Sequence, residues 1–408
     1  MIKTFTITSI AAAAAATHMN KNLAQLLAQV GLETENAEAK HSCLTSAKRN
    51  LAAVDDFWTH LSSGQKYSDD DFTPDGSSVY WADMGEGTDS IADLKLKWKR
   101  ATEIPGDHSL FGKGISPDDI IQGNVGNCWL LAAASAVAEV PGRMEKTFLD
   151  TTNKLNDAGI YAVNLYTLGV PHTVVVDDWV PRTKDILKPN KIINAFAEVG
   201  FDSSLWGTIL EKAYAKSVGN YLHTQAGNMG HGVRAITGAP FEEHAHKDIT
   251  VEDLWTELVS HDGKNDVITA SSGPGNDTQQ NEHGLTLGHA FTILGTHVLP
   301  NGTRLVKIRN PWGLEDYRGA WSDFSKEWTP ELEKEVNLKK TKKDGIFYQS
   351  IEDYHKQFGD TVVSYDNSDW NHAYFLRLND DGTKSEKCGP WEGEKCFRHV
   401  LSVTSEVD

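Results

Sequence analysis

Three residues that lie far apart in the chain, Cys128, His289 and Asn310, have side chains suited to acyl transfer by a thiol. A free thiol has a pKa of about 8.5 and is mostly protonated at neutral pH, so a cysteine nucleophile needs a base to take its proton. A histidine ring can accept that proton, and an asparagine carbonyl can hold the other ring nitrogen. Gln122, six residues before Cys128, offers an amide N–H group that can join the Cys128 amide in stabilising an oxyanion. The four residues together predict nucleophilic catalysis by Cys128.

The sequence around Cys128 predicts how its thiol is activated. The run from Cys128 to Val140 is apolar almost throughout and stops at Pro141, which predicts a central helix buried on all sides. Its first residue is the cysteine, and the unpaired amides and the dipole at a helix N-terminus favour a thiolate. Glycines at 123 and 126 indicate a close approach of the chain just before this helix.

The segments around His289 and Asn310 predict how the imidazole is held. Gly288 is expected to leave room for a substrate backbone beside His289, and the apolar run after His289 predicts a strand that fixes it. Asn310 ends a second predicted strand at Pro311, and Trp312 can cover the His–Asn hydrogen bond from water.

Each of these residues taken alone has an ordinary structural explanation. A lone cysteine at a helix start is more often a small buried apolar residue than a nucleophile. The joint occurrence of Gln122, Cys128, His289 and Asn310 in this order favours catalysis. A transglutaminase, which also transfers acyl groups, would use aspartate in place of Asn310, so the asparagine argues against that class.

The composition argues against several classes of protein. Apolar residues make up 39% of the 408 residues and charged residues 24%, as in an ordinary soluble chain. The net charge of −18 argues against a nucleic-acid partner. No apolar run reaches the ~18 residues that a membrane span requires. The four cysteines contain no Cys-x-x-Cys pair and predict neither a zinc knuckle nor a disulfide scaffold: Cys43, Cys128, Cys388 and Cys396.

Residues 1–55 are predicted to form an N-terminal segment, for which two interpretations stay open. Lys3 precedes a modestly apolar stretch that ends in six alanines. The stretch is either a signal peptide or pro-region, with a cleavage point at Ala14–Ala16, or an alanine-rich helix diluted by threonines. We expect a secreted or vesicular protein in the first case and a cytoplasmic one in the second.

The elements predicted along the rest of the chain divide into a helical first half and a β-rich second half. Helices are predicted at 22–32, 128–140 and 206–217. Strands are predicted at 160–166, 173–176, 290–294, 304–309, 345–348, 362–365 and 373–378. The pattern predicts an α+β fold of two lobes. We place the helical lobe at 56–228, the β-rich lobe at 229–365 and a short C-terminal tail at 366–408.

The sequence around the four candidate residues resembles the calpain family of cysteine proteases. The segment Gln122–Ala133 is similar to the family's active-site signature, and Leu210–Tyr221 is similar to its Leu-Glu-Lys-Ala-Tyr-Ala-Lys-x-x-Gly-x-Tyr motif. Other similar segments follow along the chain: Leu96–Ala101, Val176–Pro181, Thr237-Gly238, Gly288–Ala290, Arg309–Gly313, Gly319–Asp323, Glu327-Trp328, Asp344–Phe347 and Ile351–Tyr354. The resemblance covers roughly residues 57–365.

The resemblance implies a papain-like cysteine protease fold, with the active site between a lobe that carries Cys128 and a lobe that carries His289 and Asn310. It implies an endopeptidase that cuts proteins or peptides and needs no organic cofactor. The alternative is a catalytically idle member of the family that acts as a binding or regulatory protein. This chain keeps all three residues and Gln122, which favours the enzyme.

The resemblance also implies two calcium sites that align the lobes. In the first site Asp119 matches one carboxylate, but Ser204 stands where the family has a glutamate. In the second site Ile346 replaces one carboxylate, while three aspartates match: Asp316, Asp323 and Asp344. Because calcium affinity follows the number of charged ligands, we expect both sites to be weak. The sequence leaves calcium dependence open.

Overall fold

The computed structural model describes residues 37–81, 91, 94–167, 170–185, 188, 190–314 and 316–368. The chain divides into two compact units, one formed by Met1–Ala53 with Ser368–Asp408 and the other by Val54–Asn367. The first unit is described only at 37–53 and at 368, so the helix predicted at 22–32 and the strand predicted at 373–378 lie outside the described residues. The second unit carries every predicted site residue.

Seven α-helices occur in the described residues, and none of them is long and apolar enough to cross a membrane. They are α1 (Ala37–Ser63), α2 (Cys128–Val137), α3 (Trp206–Val218), α4 (Met229–Thr237), α5 (Val251–Asp262), α6 (Pro330–Glu335) and α7 (Ile351–Gln357). Polar side chains accept an amide hydrogen bond at several N-termini, as Asn228 does for α4 and Thr250 for α5.

Eleven β-strands in the described residues form three antiparallel sheets. They are β1 (Lys97–Arg100), β2 (Ile160–Thr167), β3 (Val170–Asp177), β4 (Trp179–Lys184), β5 (Ile192–Asn194), β6 (Phe241–Ala245), β7 (Val267–Ser272), β8 (Ala290–Val298), β9 (Arg304–Arg309), β10 (Ile346–Ser350) and β11 (Phe358–Ser364). The sheet orders are β1-β4-β5, β2-β3 and β10-β9-β8-β7-β11-β6. The α+β prediction is therefore confirmed.

The helix predicted from the apolar run after Cys128 is the buried centre of the first half. Every residue of α2 after Cys128 is buried, and the helix packs on α4 and on the strands β7 and β8. The helix ends at Val137, three residues before the predicted end at Val140. Pro141 disfavours helical geometry at Val140, the residue before it. Since α4 also packs on α2, the lobe boundary at 228 stays a prediction.

The six-stranded sheet carries the two residues that were predicted to partner the thiol. His289 directly precedes β8, and Asn310 directly follows β9. These strands pair with Thr292 opposite Arg309, and the antiparallel register continues to bring position 289 level with positions 310–312. The predicted bounds of β9 are confirmed, whereas β8 extends beyond the predicted 290–294.

Ion pairs tie α3 to β3 and to the loop at Asp69. Lys212 is buried and donates to the carboxylate of Asp177 and to the carbonyl of Trp179, the latter at 2.8 Å. Lys216, one helical turn on, contacts Asp69 at 2.7 Å. A buried ion pair is weak as a source of net stability, but removing one partner leaves an uncompensated charge in the core.

We predict that Lys212→Met lowers the free energy of unfolding by about 3–5 kcal/mol, because Asp177 then stays buried without its counter-charge. Lys99→Ala is the matched control, since Lys99 forms an exposed pair with Glu103 and should change stability by less than about 1 kcal/mol. Urea unfolding of both variants measures the difference. Equal losses in the two variants would contradict a structural role for the buried pair.

Candidate active site

Cys128 is the first residue of α2, as predicted, but burial dominates the chemistry of its thiol. The side chain is partly exposed, and it packs beside Ala290. Burial raises the pKa of the thiol, while the amides of Ala290 and Trp129 lower it; the negative charge of Asp277 raises it further. The net shift is upward, so the helix N-terminus does not by itself produce the thiolate that the sequence analysis anticipated.

His289 is held by the side-chain carbonyl of Asn310. The ring nitrogen Nε2 lies 2.9 Å from Asn310 Oδ1. The same oxygen accepts the backbone amide of Trp312 at 3.0 Å, and the Trp312 ring lies 4.6 Å from the imidazole. Since Oδ1 can only accept, Nε2 carries the proton and Nδ1 keeps its lone pair.

That lone pair at Nδ1 is the reactive feature of His289. Nδ1 is buried and forms no hydrogen bond with any described residue. Burial lowers the pKa of the ring to about 4, although the hydrogen bond with Asn310 opposes the shift. The histidine is therefore neutral at pH 7 and ready to accept a proton, and the Cys128 thiol is also neutral.

Gly288 is required by the packing of two loops. Its φ of +54° lies in the left-handed region, and a Cβ atom there would stand 2.4 Å from the carbonyl oxygen of Gly275. The loop around Gly275 therefore occupies the space that a side chain at 288 would need. Room for a substrate backbone beside Gly288 stays a prediction.

Gln122 stands six residues before Cys128, and its side chain is buried and bonded within its own turn. Its amide Nε2 donates to the carbonyl of Val125 at 2.8 Å, and its Oε1 is buried without a partner among the described residues. Joint stabilisation of an oxyanion by the Gln122 side chain and the Cys128 amide stays a prediction. The backbone amide of Gln122 donates to the Pro311 carbonyl at 2.9 Å and so links the two lobes.

Arg309 makes the main connection between the two halves of the site. Its side chain is fully buried, and its guanidinium donates to the carbonyls of Ile120 at 2.7 Å and Asp118 at 3.2 Å and to the Ser135 hydroxyl at 3.2 Å. Burial lowers its pKa to about 10, so the group stays charged at pH 7. Arg309 therefore fixes the strand end that carries Asn310 against the segment that leads to Cys128.

The residues predicted to bind calcium fall into separate places. Asp119, on the helical side, is buried and accepts the Trp206 indole N–H at 3.0 Å. On the β-rich side, the exposed Asp316 accepts from Gln280 at 3.1 Å, and the buried Asp323 accepts the Thr341 amide at 2.8 Å.

Asp344 accepts the Ile346 amide at 3.0 Å, and its charge contributes to raising the pKa of Asp323 to about 7, burial being the larger cause. In the described part of the chain, no group of three or more His, Cys, Asp or Glu side chains is placed to hold a metal ion. Asp316, Asp323 and Asp344 therefore do not form the joint site that the resemblance implied, and calcium binding by them stays a prediction.

Comparison with known proteins agrees with this arrangement. The sequence profile described as "Calpain family cysteine protease" matches residues 67–365, which is most of the chain. The chain belongs to the calpain family. The papain-like protease core predicted from the sequence is therefore confirmed.

Several calpains are similar to this chain. "Calpain-type cysteine protease ADL1" of Oryza sativa subsp. japonica is 32% identical over 321 residues, which are 74% of this chain and 14% of that protein. "Calpain-8" of Mus musculus is 29% identical, with 81% of this chain and 45% of that protein covered. "Calpain-1 catalytic subunit" of Macaca fascicularis is 30% identical, with 73% and 42% covered. The chain thus spans less than half the length of these relatives.

Three residues of this calpain site escaped the sequence analysis. Arg309 could have been found, because it stands directly before Asn310 in a motif that was noted only for the asparagine. Asp277 and Asp202 could not, because their loops carry no periodicity and their importance depends on which side chains they face. Asp277 acts on the thiol of Cys128, and Asp202 faces Asp119.

We predict that His289→Ala loses far more activity than Asn310→Ala, because the histidine carries the proton while the asparagine only holds the ring and its tautomer. The measurement is kcat and kcat/KM on an unfolded protein substrate. Equal losses in the two variants would show that Asn310 supports the lobe itself through the Pro311-Trp312 turn.

A second prediction concerns the charge at Asp277. Asp277→Asn should lower the pKa of the Cys128 thiol and speed its alkylation by iodoacetamide at pH 7, because a negative charge that disfavours the thiolate is removed. In the parent, the alkylation rate should keep rising into the alkaline range. Glu282→Gln, an exposed position in the same loop, is the control and should change nothing. A rate that is already at its plateau at acidic pH would contradict a neutral resting thiol.

Proposed function

We propose that this chain is a cysteine endopeptidase that hydrolyses peptide bonds in proteins, with Cys128 as nucleophile, His289 as base and Asn310 as the residue that orients the ring. The observation that carries the proposal is the state of His289. Its Nε2–H is bound to Asn310, and its Nδ1 lone pair is buried and unused among the described residues. A histidine with only a structural role would be expected to use both nitrogens.

The reaction follows from that arrangement. The Cys128 thiol gives its proton to Nδ1 of His289, and the sulfur attacks the carbonyl carbon of the scissile bond. The tetrahedral oxyanion is stabilised by amide N–H groups at the start of α2. The imidazolium then protonates the leaving amine, which releases the first product and leaves a thioester on Cys128. Water, deprotonated by the same histidine, hydrolyses the thioester and restores the thiol.

Because burial favours the neutral forms of the Cys128 thiol and the His289 ring, the proton passes between them during catalysis and not before it. In the resting protein the thiol has a raised pKa and the imidazole a lowered one, so the neutral pair is favoured over the ion pair. Asn310 supports the charged ring once it forms, because its carbonyl stays bound to Nε2–H. Trp312 keeps water from that hydrogen bond.

We predict that Cys128→Ala abolishes cleavage of a casein-like unfolded protein, with a loss of several orders of magnitude, on the order of 10⁴-fold or more. Cys43→Ala is the matched control and should keep full activity. Proteolysis is followed by gel and by mass spectrometry of the fragments, with circular dichroism as the check of folding. Turnover retained in Cys128→Ala would remove the thiol mechanism, and no turnover in the parent would favour the idle binding protein.

Calcium is proposed here as a regulator of this protease. The helical lobe offers such an ion two neighbouring carboxylates, Asp119 and Asp202, and carboxylate oxygens are ligands that calcium prefers. The three aspartates of the β-rich lobe do not form one group in the described residues. A calcium ion in the helical lobe would neutralise the buried negative charge of Asp119. Asp119 lies in the segment that Arg309 contacts, so the ion would stabilise the backbone that leads to Cys128.

We predict that activity rises with calcium only at high concentrations, on the order of 10⁻⁴–10⁻³ M, or does not depend on calcium, because each site lacks a charged ligand of the family pattern. Introducing glutamate at Ser204 and at Ile346 should shift the response to lower calcium. A titration of peptide cleavage against free calcium measures this. Saturation of the parent at submicromolar calcium would show that its ligands are wrongly assigned.

A further inference from the structure

A buried carboxylate holds the side chain of the residue that precedes Cys128. Glu211 lies on α3 and is 1% exposed, and the fully buried Asn127 stands directly before α2. The Asn127 amide Nδ2 donates to Glu211 Oε1 at 2.7 Å. The other oxygen of the carboxylate, Oε2, accepts the backbone amide of Ala197 at 2.8 Å. Glu211 therefore joins α3 to two loops, the turn before Cys128 and the segment around Ala197.

Glu211 stays in the core without a counter-charge among the described residues. Burial raises its pKa to about 7, and the two hydrogen bonds oppose the shift. A buried carboxylate without a cation is costly, and an apolar side chain at this position would avoid that cost. The two loops that it joins are also held together without it, since Asn124 donates its backbone amide at 2.9 Å and its side-chain amide at 2.7 Å to the Ala195 carbonyl. The distinctive contact of Glu211 is therefore the one with Asn127.

The side chain of Asn127 depends on that contact. An asparagine directly before a helix commonly caps it with the side-chain oxygen. Asn127 forms no such bond, and its Oδ1 is buried without a hydrogen-bond partner among the described residues. Without Glu211, both polar atoms of this buried side chain would lack partners, and the turn that carries them would have to change to satisfy them.

The backbone of Asn127 decides where the Cys128 amide points. The Asn127 carbonyl accepts the amides of Leu130 at 2.9 Å and Leu131 at 3.2 Å, so it points into α2. In a trans peptide the N–H of the next residue points the opposite way, so the Cys128 N–H points out of the start of the helix. The amides of Cys128 and Trp129 both lower the pKa of the thiol, which places them beside the sulfur. The Cys128 amide is therefore one of the donors to which the mechanism above assigns the oxyanion.

We propose that Glu211 is a positioning residue of the catalytic site, which fixes Asn127 and, through it, the direction of the Cys128 amide that stabilises the oxyanion. The inference rests on the protease mechanism proposed above and adds to it a residue of α3. The oxyanion exists in the transition state and not in the bound substrate. Glu211 should therefore act on kcat, with little effect on KM or on reactions of the thiol that form no oxyanion.

Two substitutions at position 211 test the proposal on an unfolded protein substrate. Glu211→Met should lower kcat at least about tenfold and change KM less than about twofold, because a misdirected donor weakens binding of the transition state only. The rate at which iodoacetamide alkylates Cys128 should stay within about twofold of the parent, since alkylation forms no oxyanion. Glu211→Gln should keep kcat within about threefold of the parent, because its amide can donate to Asn127 Oδ1 while its oxygen accepts from Ala197.

Asn124→Ala is the matched control, because it removes a hydrogen bond of the same turn and should keep kcat within about twofold of the parent. Asn127→Ala breaks the link from its other end and should reproduce the loss in kcat, and it decides the matter if Glu211→Met fails to fold. Parent-like kcat in either folded variant, or an alkylation rate that falls as far as kcat does, would overturn the proposal. Cleavage by the parent tests the protease mechanism separately, so a failure at position 211 leaves that mechanism standing.

Discussion

The buried charge of Arg309 joins the two lobes, and the geometry of the site depends on it. A guanidinium with no exposed surface must have partners, and its hydrogen bonds go to Asp118, Ile120 and Ser135 of the opposite lobe. If the lobes separated, water would have to replace these hydrogen bonds, and the end of β9 would lose its attachment to the other lobe. Thr292 forms a further hydrogen bond between the lobes, since its hydroxyl donates to the Ala132 carbonyl at 2.8 Å. These bonds therefore fix the lobe that carries His289 against the lobe that carries Cys128.

Docking also explains the electrostatics of the site. Trp312 covers His289 within the β-rich lobe, and docking places the Cys128 thiol beside Ala290 of that lobe, so both groups lose water. Desolvation favours the neutral form of each, so the pKa of the ring falls and that of the thiol rises. In the resting protein the thiol and the imidazole are therefore both neutral, and they do not form an ion pair. The negative charge of Asp277 raises the pKa of the thiol further and so also favours its neutral form.

Much of this site was accessible to sequence reasoning, and the limits have physical causes. Cys128, His289 and Asn310 were found because their local signals are strong: a helix start, a glycine before a strand, and a proline after one. The bond between His289 and Asn310 then follows from strand register, which two apolar runs determine. The same reasoning predicted the α+β architecture and the bounds of β9.

The contacts that could not be predicted depend on loops. The side chain of Gln122 reaches Val125 because the turn between them closes locally, which no spacing rule reveals. Gly288 is needed because another loop, around Gly275, packs on it. In each case the deciding partner is remote in sequence, or reached through irregular backbone, so that residue type alone says little.

Mapping the site of covalent labelling tests the central claim most directly. An epoxide thiol inhibitor is incubated with the parent chain and with His289→Ala, and the modified residue is identified by mass spectrometry of the digested protein. If docking brings Cys128 to a histidine that can accept its proton, one adduct forms on Cys128 in the parent, and its rate falls sharply in His289→Ala. An adduct on another cysteine, or a Cys128 labelling rate that does not depend on His289, would contradict the account.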